Sequence, residues 1–292
     1  MVTAMSTFSE PSLTGIVYDD RFLLHDTGPT APERPDRLRR IVEVLKQDGL
    51  WPKLHRILFA AADRHQLRRL HREAYLGRLD AACANGSLYI DDIDSTIGPA
   101  SADVARLAVG GILRAVDEVA AGRLANAFCA IRPPGHHAEA DRSMGYCLFA
   151  NAALAADSLT RVGGCERVAV VDFDVHHGNS TQNLFVDRAD VMAISLHGDP
   201  VETYPGTGFT YETGLGAGEG TTLNILMPAG SDDRAYAQAI QTQVVPALES
   251  FKPDFLILAS GFDTAIEDPL ASMRVPAEGF RVMTHLLLEA AD

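Results

Sequence analysis

Cysteine, positive charge and long apolar runs are all scarce in this chain. Its four cysteines, Cys83, Cys129, Cys147 and Cys165, form no CxxC pair. That excludes a disulfide framework or a cysteine-rich zinc module as the organising device, and it predicts a reduced, cytoplasmic setting. No stretch approaches the roughly 18 uninterrupted apolar residues of a membrane-spanning helix. Met1 to Ser12 has no basic region leading into an apolar run, so it does not read as a signal peptide. Lysine plus arginine number 25 against 39 aspartate plus glutamate, a net charge of −14. Broad nucleic-acid binding needs a basic face, which this balance does not supply. Cationic partners, such as lysine-bearing peptides, stay compatible with it by electrostatic steering.

Apolar residues, by contrast, make up 47% of the 292 positions, enough for a substantial core. Residues 1–14 read as loosely ordered and 15–292 as one domain. The patterning predicts an edge strand at 15–18, further strands at 127–131, 168–173, 191–196, 222–227 and 255–259, and an acidic loop at 91–95. Helices are predicted at 35–45, 66–84, 102–121, 150–162, 233–249 and 276–289, several of them closed by glycine. Strand and helix alternate, so the expected fold is α/β: a mainly parallel sheet with helices on both faces. The glycine-rich stretch 214–220 lacks the Lys-Ser/Thr of a phosphate loop and opens no helix, so it reads as a surface loop.

The most informative segment is Val168-Ala-Val-Val-Asp172-Phe-Asp174-Val-His176-His177-Gly178-Asn179. A buried strand that runs out into carboxylates and imidazoles is costly unless something pairs with them. Asp174 and His176 are two apart and share a face while strand geometry lasts. A zinc-type ion would suit that pair, and a hydrogen-bonded Asp–His couple closing a loop would suit it too. Two more apolar runs end the same way. The run at 127–131 leads into Arg132-Pro-Pro-Gly-His136-His137-Ala138. The run at 255–259 leads into Ser260-Gly-Phe-Asp263-Thr264, followed by Asp268-Pro-Leu270. Ligands of open α/β sheets bind beyond the carboxyl ends of the strands, and three strands delivering ionisable groups there are hard to explain by packing alone.

These three clusters, together with Gly145-Tyr-Cys-Leu-Phe-Ala-Asn151 and Tyr204-Pro-Gly-Thr-Gly208, resemble the histone deacetylase family. The resemblance is greatest to class II and bacterial amidohydrolase-like members. Glu33-Arg-Pro-Asp-Arg-Leu38 and Leu70-His-Arg-Glu-Ala-Tyr75 support it, and it runs from about Gly15 to the last residue. It implies an active site at the C-terminal ends of the strands, with one zinc ion held by Asp174, His176 and Asp263. His137 resembles the general base and His136 its companion, with Asp172 partnering His136 and Asn179 partnering His137. Gly145, Tyr146, Tyr204 and Leu270 match the lining of a substrate tunnel, the two tyrosines standing where better-known members carry phenylalanine. Leu270 occupies the place of a glutamate in a polyamine-selective relative. Asp172, Asp174, His176, Ser195 and Leu196 match a monovalent-cation site, for potassium. The implied reaction is hydrolysis of an N-acyl amide on an acylated lysine peptide or a small acylated amine, with no direct role for nucleic acid or membrane and with oligomerisation left open.

Two departures stand out. Ala31 replaces a histidine that often precedes Pro-Glu-Arg-Pro, and the family's terminal Gly-Gly-Tyr, whose tyrosine donates to the oxyanion, does not occur. The expectation is therefore a C-terminally shortened sequence that keeps its metal and turns over poorly. Two rival readings stay open. An arginase-like ureohydrolase would hold two metals, but its Asp-x-His-x-Asp run lacks a third carboxylate here, where Gly178 stands. A metal-binding acyl-group sensor or scaffold would need no turnover. The remaining histidines, His25, His55, His65, His71, His197 and His285, read as surface or core residues.

Overall fold

The computed structural model describes residues 13–269 and 271–291. The expectation for residues 1–14 falls almost entirely outside that range, as does Leu270.

Strand and helix alternate as expected. The strands are β1 (Thr14–Val17), β2 (His55–Arg56), β3 (Tyr89–Ile90), β4 (Asp92–Thr96), β5 (Asn126–Cys129), β6 (Val168–Asp172), β7 (Val191–His197), β8 (Thr222–Leu226) and β9 (Phe255–Ala259). Between them run α1 (Pro35–Gln47), α2 (Arg64–Leu67), α3 (Glu73–Ala84), α4 (Ser101–Ala120), α5 (Asn151–Arg161), α6 (Asn179–Phe185), α7 (Asp233–Ala239), α8 (Val245–Phe251) and α9 (Ala277–Glu289). Among the described residues the parallel strands form two hydrogen-bonded groups, β2-β1-β5 and β8-β7-β6-β9, while β3 and β4 form an antiparallel hairpin.

The four-stranded group positions the site. β6 lies between β7 and β9, with Asp172 opposite both Ser195 and Ala259. Every residue of β6 is buried because helices cover both faces. Ala169 and Val171 pack with Tyr236, Met283 and Leu287, from α7 and α9. Val168 and Val170 pack on the opposite side with Ala155 and Leu159 of α5 and Phe185 of α6. That two-sided cover is why the strand is apolar throughout rather than alternating. All four strands point the same way, so their polar ends emerge together.

Four local expectations need correction. β1 is not an edge strand: it pairs with β5 on one side and β2 on the other. β2 has only two residues, too few to leave a periodic signal. The helix expected through 66–84 is interrupted. Asp63 caps α2 by accepting from the Gln66 N–H at 2.8 Å, and the chain then turns because the Arg72 N–H donates to the Ala140 carbonyl at 2.7 Å. The acidic loop at 91–95 is largely strand, since β4 folds back on β3. Finally, the helix expected at 233–249 contains a wide π turn at Ile240–Val244. Pro246 stands at the start of α8, where its missing N–H and its ring disrupt the normal ladder upstream.

Candidate active site and metal centre

The chain leaves β6 through two side-chain turns. Asp172 Oδ1 accepts from the Asp174 N–H at 3.1 Å, and Asp174 Oδ1 accepts from the His176 N–H at 2.8 Å. Aspartate favours such turns because its short carboxylate reaches the backbone two residues on. Strand geometry has therefore already ended at Asp172. Asp174 and His176 converge through this curl, not through the strand alternation expected from their spacing. The neighbouring loop from β9 supplies Asp263, whose Oδ1 accepts from the Val175 N–H at 2.9 Å and ties the two loops together.

The result is a compact donor set. Ligand atoms of Asp174, His176 and Asp263 all lie within 4.8 Å of one another. His176 Nδ1 is 2.9 Å from Asp174 Oδ1 and 2.9 Å from Asp263 Oδ2. Their electrostatics are those of a cation site. Burial opposes a charge on His176, but hydrogen bonds to Asp174 and Asp263 outweigh it and pull its pKa up to about 10. Burial and the charge of Asp174 push Asp263 up to about 6. Burial also opposes ionisation of Asp174, yet His136 and His176 hold it below the usual carboxylate range. Two carboxylates thus compete for positive charge around one imidazole. A divalent ion would satisfy both carboxylates and leave the imidazole neutral, so the donor set fits zinc with room for further ligands.

The tandem histidines arrive on the loop after β5. His136 Nδ1 is 2.9 Å from Asp172 Oδ2, and His137 Nδ1 is 2.6 Å from Asn179 Oδ1. Their ring centres are 3.9 Å apart, and His136 Nε2 lies 3.8 Å from Asp174 Oδ2, so the pair faces the donor set. Burial works against the charged form of His136, but Asp172 and then Asp174 overcome it and raise its pKa to about 9. His137 moves the other way: burial first, and then the neighbouring His136, press it well below the ordinary value. One ring favours holding a proton and the other favours lacking one, with Asp against one and Asn against the other.

Tyr204 stands edge-on to His137, with centroids 5.1 Å apart, and its ring is 6.2 Å from that of His176. Burial, and after it Asp94 and Asp92 of β4, raise the pKa of its hydroxyl. Tyr146 has a positive φ of 64° and a pKa raised by burial and by Asp94. Gly145, also at positive φ, leaves space for the His137 ring: a Cβ there would overlap His137 Cδ2. Its missing side chain thus makes room for the histidine. Leu270 lies outside the described residues.

Of the residues matched to a monovalent-cation site, Asp172 and Ser195 line one small cavity with His177, Gly178 and Asn224. Asp174 and His176 belong to the donor set, and Leu196 is buried in the core between the sheet and α7 to α9. His177 turns away from the site. Its ring nitrogens meet Thr207 Oγ1 at 2.8 Å and Gln182 Oε1 at 3.0 Å, and burial lowers its pKa to about 3.

Several contributors were not singled out in the sequence. Arg132 and Glu33 form a buried two-point ion pair at 2.5 and 2.7 Å that anchors the histidine loop to the segment before α1. Arg132 opens the Arg-Pro-Pro-Gly-His-His run and Glu33 opens Glu-Arg-Pro, but nothing in either run announces that the two meet. His71 sits in the turn before α3. It lies 3.0 Å from the Glu139 carbonyl through Nδ1, and accepts from the Ala150 N–H at 3.0 Å through Nε2. Glu139 itself contacts Asn179.

Residues 31–292 match the histone deacetylase domain. The chain is 39% identical to a histone deacetylase-like amidohydrolase of Pseudomonas aeruginosa, over 96% of this chain and 77% of that one. It is 36% identical to a probable deacetylase of Archaeoglobus fulgidus, with the same coverage of 96% and 77%. The crystal structure of the HDA15 HD domain superposes with a TM-score of 0.90 at 37% identity, over 96% of this chain and 81% of that one.

Proposed function

The chain belongs to the histone deacetylase family, and from that membership we propose that it is a zinc-dependent amidohydrolase acting on acylated lysine or a related acylated amine. Deacetylase-type hydrolysis is the activity of the family. The finer assignment rests on one observation: Asp174, His176 and Asp263 converge beside His137, whose Nδ1 is held by Asn179.

Asp174, His176 and Asp263 would hold the ion. When bound, it would polarise the acyl carbonyl and acidify a water. The protein's own groups carry the protons. Burial of His137 opposes a charge on it, and with Nδ1 against the Asn179 oxygen its Nε2 is the nitrogen left to accept. It takes the proton from the attacking water and delivers it to the leaving amine, which must depart protonated. His136, whose charged form Asp172 favours, sits 3.9 Å from it, ring centre to ring centre, and stabilises negative charge as it develops on oxygen. Tyr204 and Tyr146 flank the approach. Asp94 acts on both rings and Asp92 on Tyr204, and this negative charge supports a substrate with positive charge flanking its neutral acyl amide. The chain's net charge of −14 is of the same sense. Potassium at the turn around Asp172 is a further part of the proposal, supported by the cavity that Asp172 and Ser195 share. Cys83, Cys129, Cys147 and Cys165 are unpaired, which supports a reducing compartment.

The direct test is metal content. Purified protein is expected to carry one zinc per chain, and Asp263→Ala to lose most of it. Equal zinc in both would remove Asp263 from the ligand set. Two metals per chain would favour a ureohydrolase. Zinc without hydrolysis of any acyl amide would favour a sensor.

A further inference from the structure

Glu139 follows the tandem histidines by two residues and touches neither the ligand set nor the tunnel. Its half-buried carboxylate accepts from Asn179 Nδ2 at 2.5 Å and from Asn183 Nδ2 at 2.8 Å. Asn179 Nδ2 also lies 3.3 Å from the His137 carbonyl and 3.6 Å from Met144 Sδ. The carboxylate, the carbonyl and the thioether can only accept. Their chemistry orients the amide: nitrogen toward Glu139, oxygen toward His137 Nδ1 at 2.6 Å. An oxygen at that place requires the imidazole proton on Nδ1, which leaves the lone pair on Nε2. The reversed amide would set an NH2 group against Nδ1 and a carbonyl against the carboxylate.

We propose that Glu139 is a positioning residue which, through Asn179, locks His137 in the tautomer able to accept a proton at Nε2. This rests on the reading of His137 as general base. Glu139 is itself fixed at both main-chain ends. Its N–H donates to the Arg142 carbonyl at 2.9 Å, and its carbonyl is 3.0 Å from His71 Nδ1. His71 is in turn held by the Ala150 N–H. The arrangement also bears on the residue type at 179. An aspartate there would face the Glu139 carboxylate at hydrogen-bonding distance, and the two would have to share a proton. Asparagine offers the same acceptor to His137 without that conflict.

The zinc-loaded full chain, labelled with 15N-histidine, reports the tautomer by NMR, with His137 assigned from His137→Ala. Wild type is expected to carry the His137 proton on Nδ1. Glu139→Ala should lose that single tautomer, and Glu139→Gln, which keeps an acceptor, should restore it. With an acetyl-lysine peptide, Glu139→Ala should lower kcat about 10–100-fold with little change in KM. Asn179→Asp should be more damaging beside Glu139 than in a Glu139→Gln background. A retained Nδ1 tautomer in Glu139→Ala overturns the proposal whatever kcat does. A lost tautomer with unchanged kcat overturns the reading of His137 as base, and a zinc-loaded wild type that hydrolyses no acyl amide overturns the proposed function, while the tautomer comparison still decides the role of Glu139.

Discussion

Single atoms decide much of this site, and some of them belong to residues that never touch a ligand. Gly261 is the sharpest case. A Cβ at that position would overlap the Asp174 carboxylate and lie 2.5 Å from Asp174 Cβ. The glycine is what lets the β9 loop lie against the β6 loop, so that Asp263 reaches His176. Gly261→Ala is therefore expected to weaken zinc binding about 10–100-fold, the usual range when a supporting residue of a metal site is lost, although it removes no ligand. Competition with a chelator of known affinity measures this, and an unchanged zinc affinity would mean that the loops carry enough slack to absorb a methyl group. At this scale the sequence was legible for the side chains that the structure brings together, Asp174, His176, Asp263 and the tandem histidines, because Asp and His at the ends of apolar runs have few cheap structural uses. It was silent on Glu139, whose role depends on a contact with Asn179, 40 positions further along the chain.

Interrupted elements hold the supporting parts of the site. The turn between α2 and α3 carries His71 into the interior, where burial lowers its pKa to about 4, and His25 is held neutral at about the same value for the same reason. In the unfolded chain both titrate near their ordinary value of about 6.5. Their contribution to stability is thus complete above about pH 6.5 and is lost as the pH falls toward 4, because the unfolded chain then binds protons that the folded one refuses. His71→Gln keeps a donor and an acceptor but cannot titrate. Its melting temperature should fall less steeply between pH 6.5 and 4 than that of the wild type. Parallel curves would show that His71 is not held neutral in the fold. Continuous helix through this region was the natural reading of its apolar spacing. What breaks it is a backbone bond from Arg72 to Ala140, a long-range partner that local periodicity does not encode. The π turn before α8 was more accessible, because Pro246 marks it directly.

At the scale of the whole molecule, one geometric fact organises the rest: β6, β7, β8 and β9 run parallel, so their carboxyl ends open on a common edge. That edge was readable from the chain at two of its strands, since the apolar runs of β6 and β9 each stop at glycine and ionisable residues; the third such run is β5, in the other group. The division of the strands into two hydrogen-bonded groups was not, because pairing is set by which edges meet, not by composition. The difference between the two histidines follows from the same edge. His136 faces Asp172 at the end of β6, whereas His137 faces Asn179 at the start of α6, and the difference between a carboxylate and an amide separates their proton affinities. The central claim is that His137 moves the proton while Asp174, His176 and Asp263 hold the ion. The most direct test is turnover of an acetyl-lysine peptide by wild type and His137→Ala, with zinc content measured on the same samples. The account predicts full zinc occupancy in both and a kcat lowered about 10²–10⁴-fold in the variant, the usual loss for a general base. Equal turnover by two zinc-loaded samples, or a variant that fails only because it has lost its zinc, would contradict it.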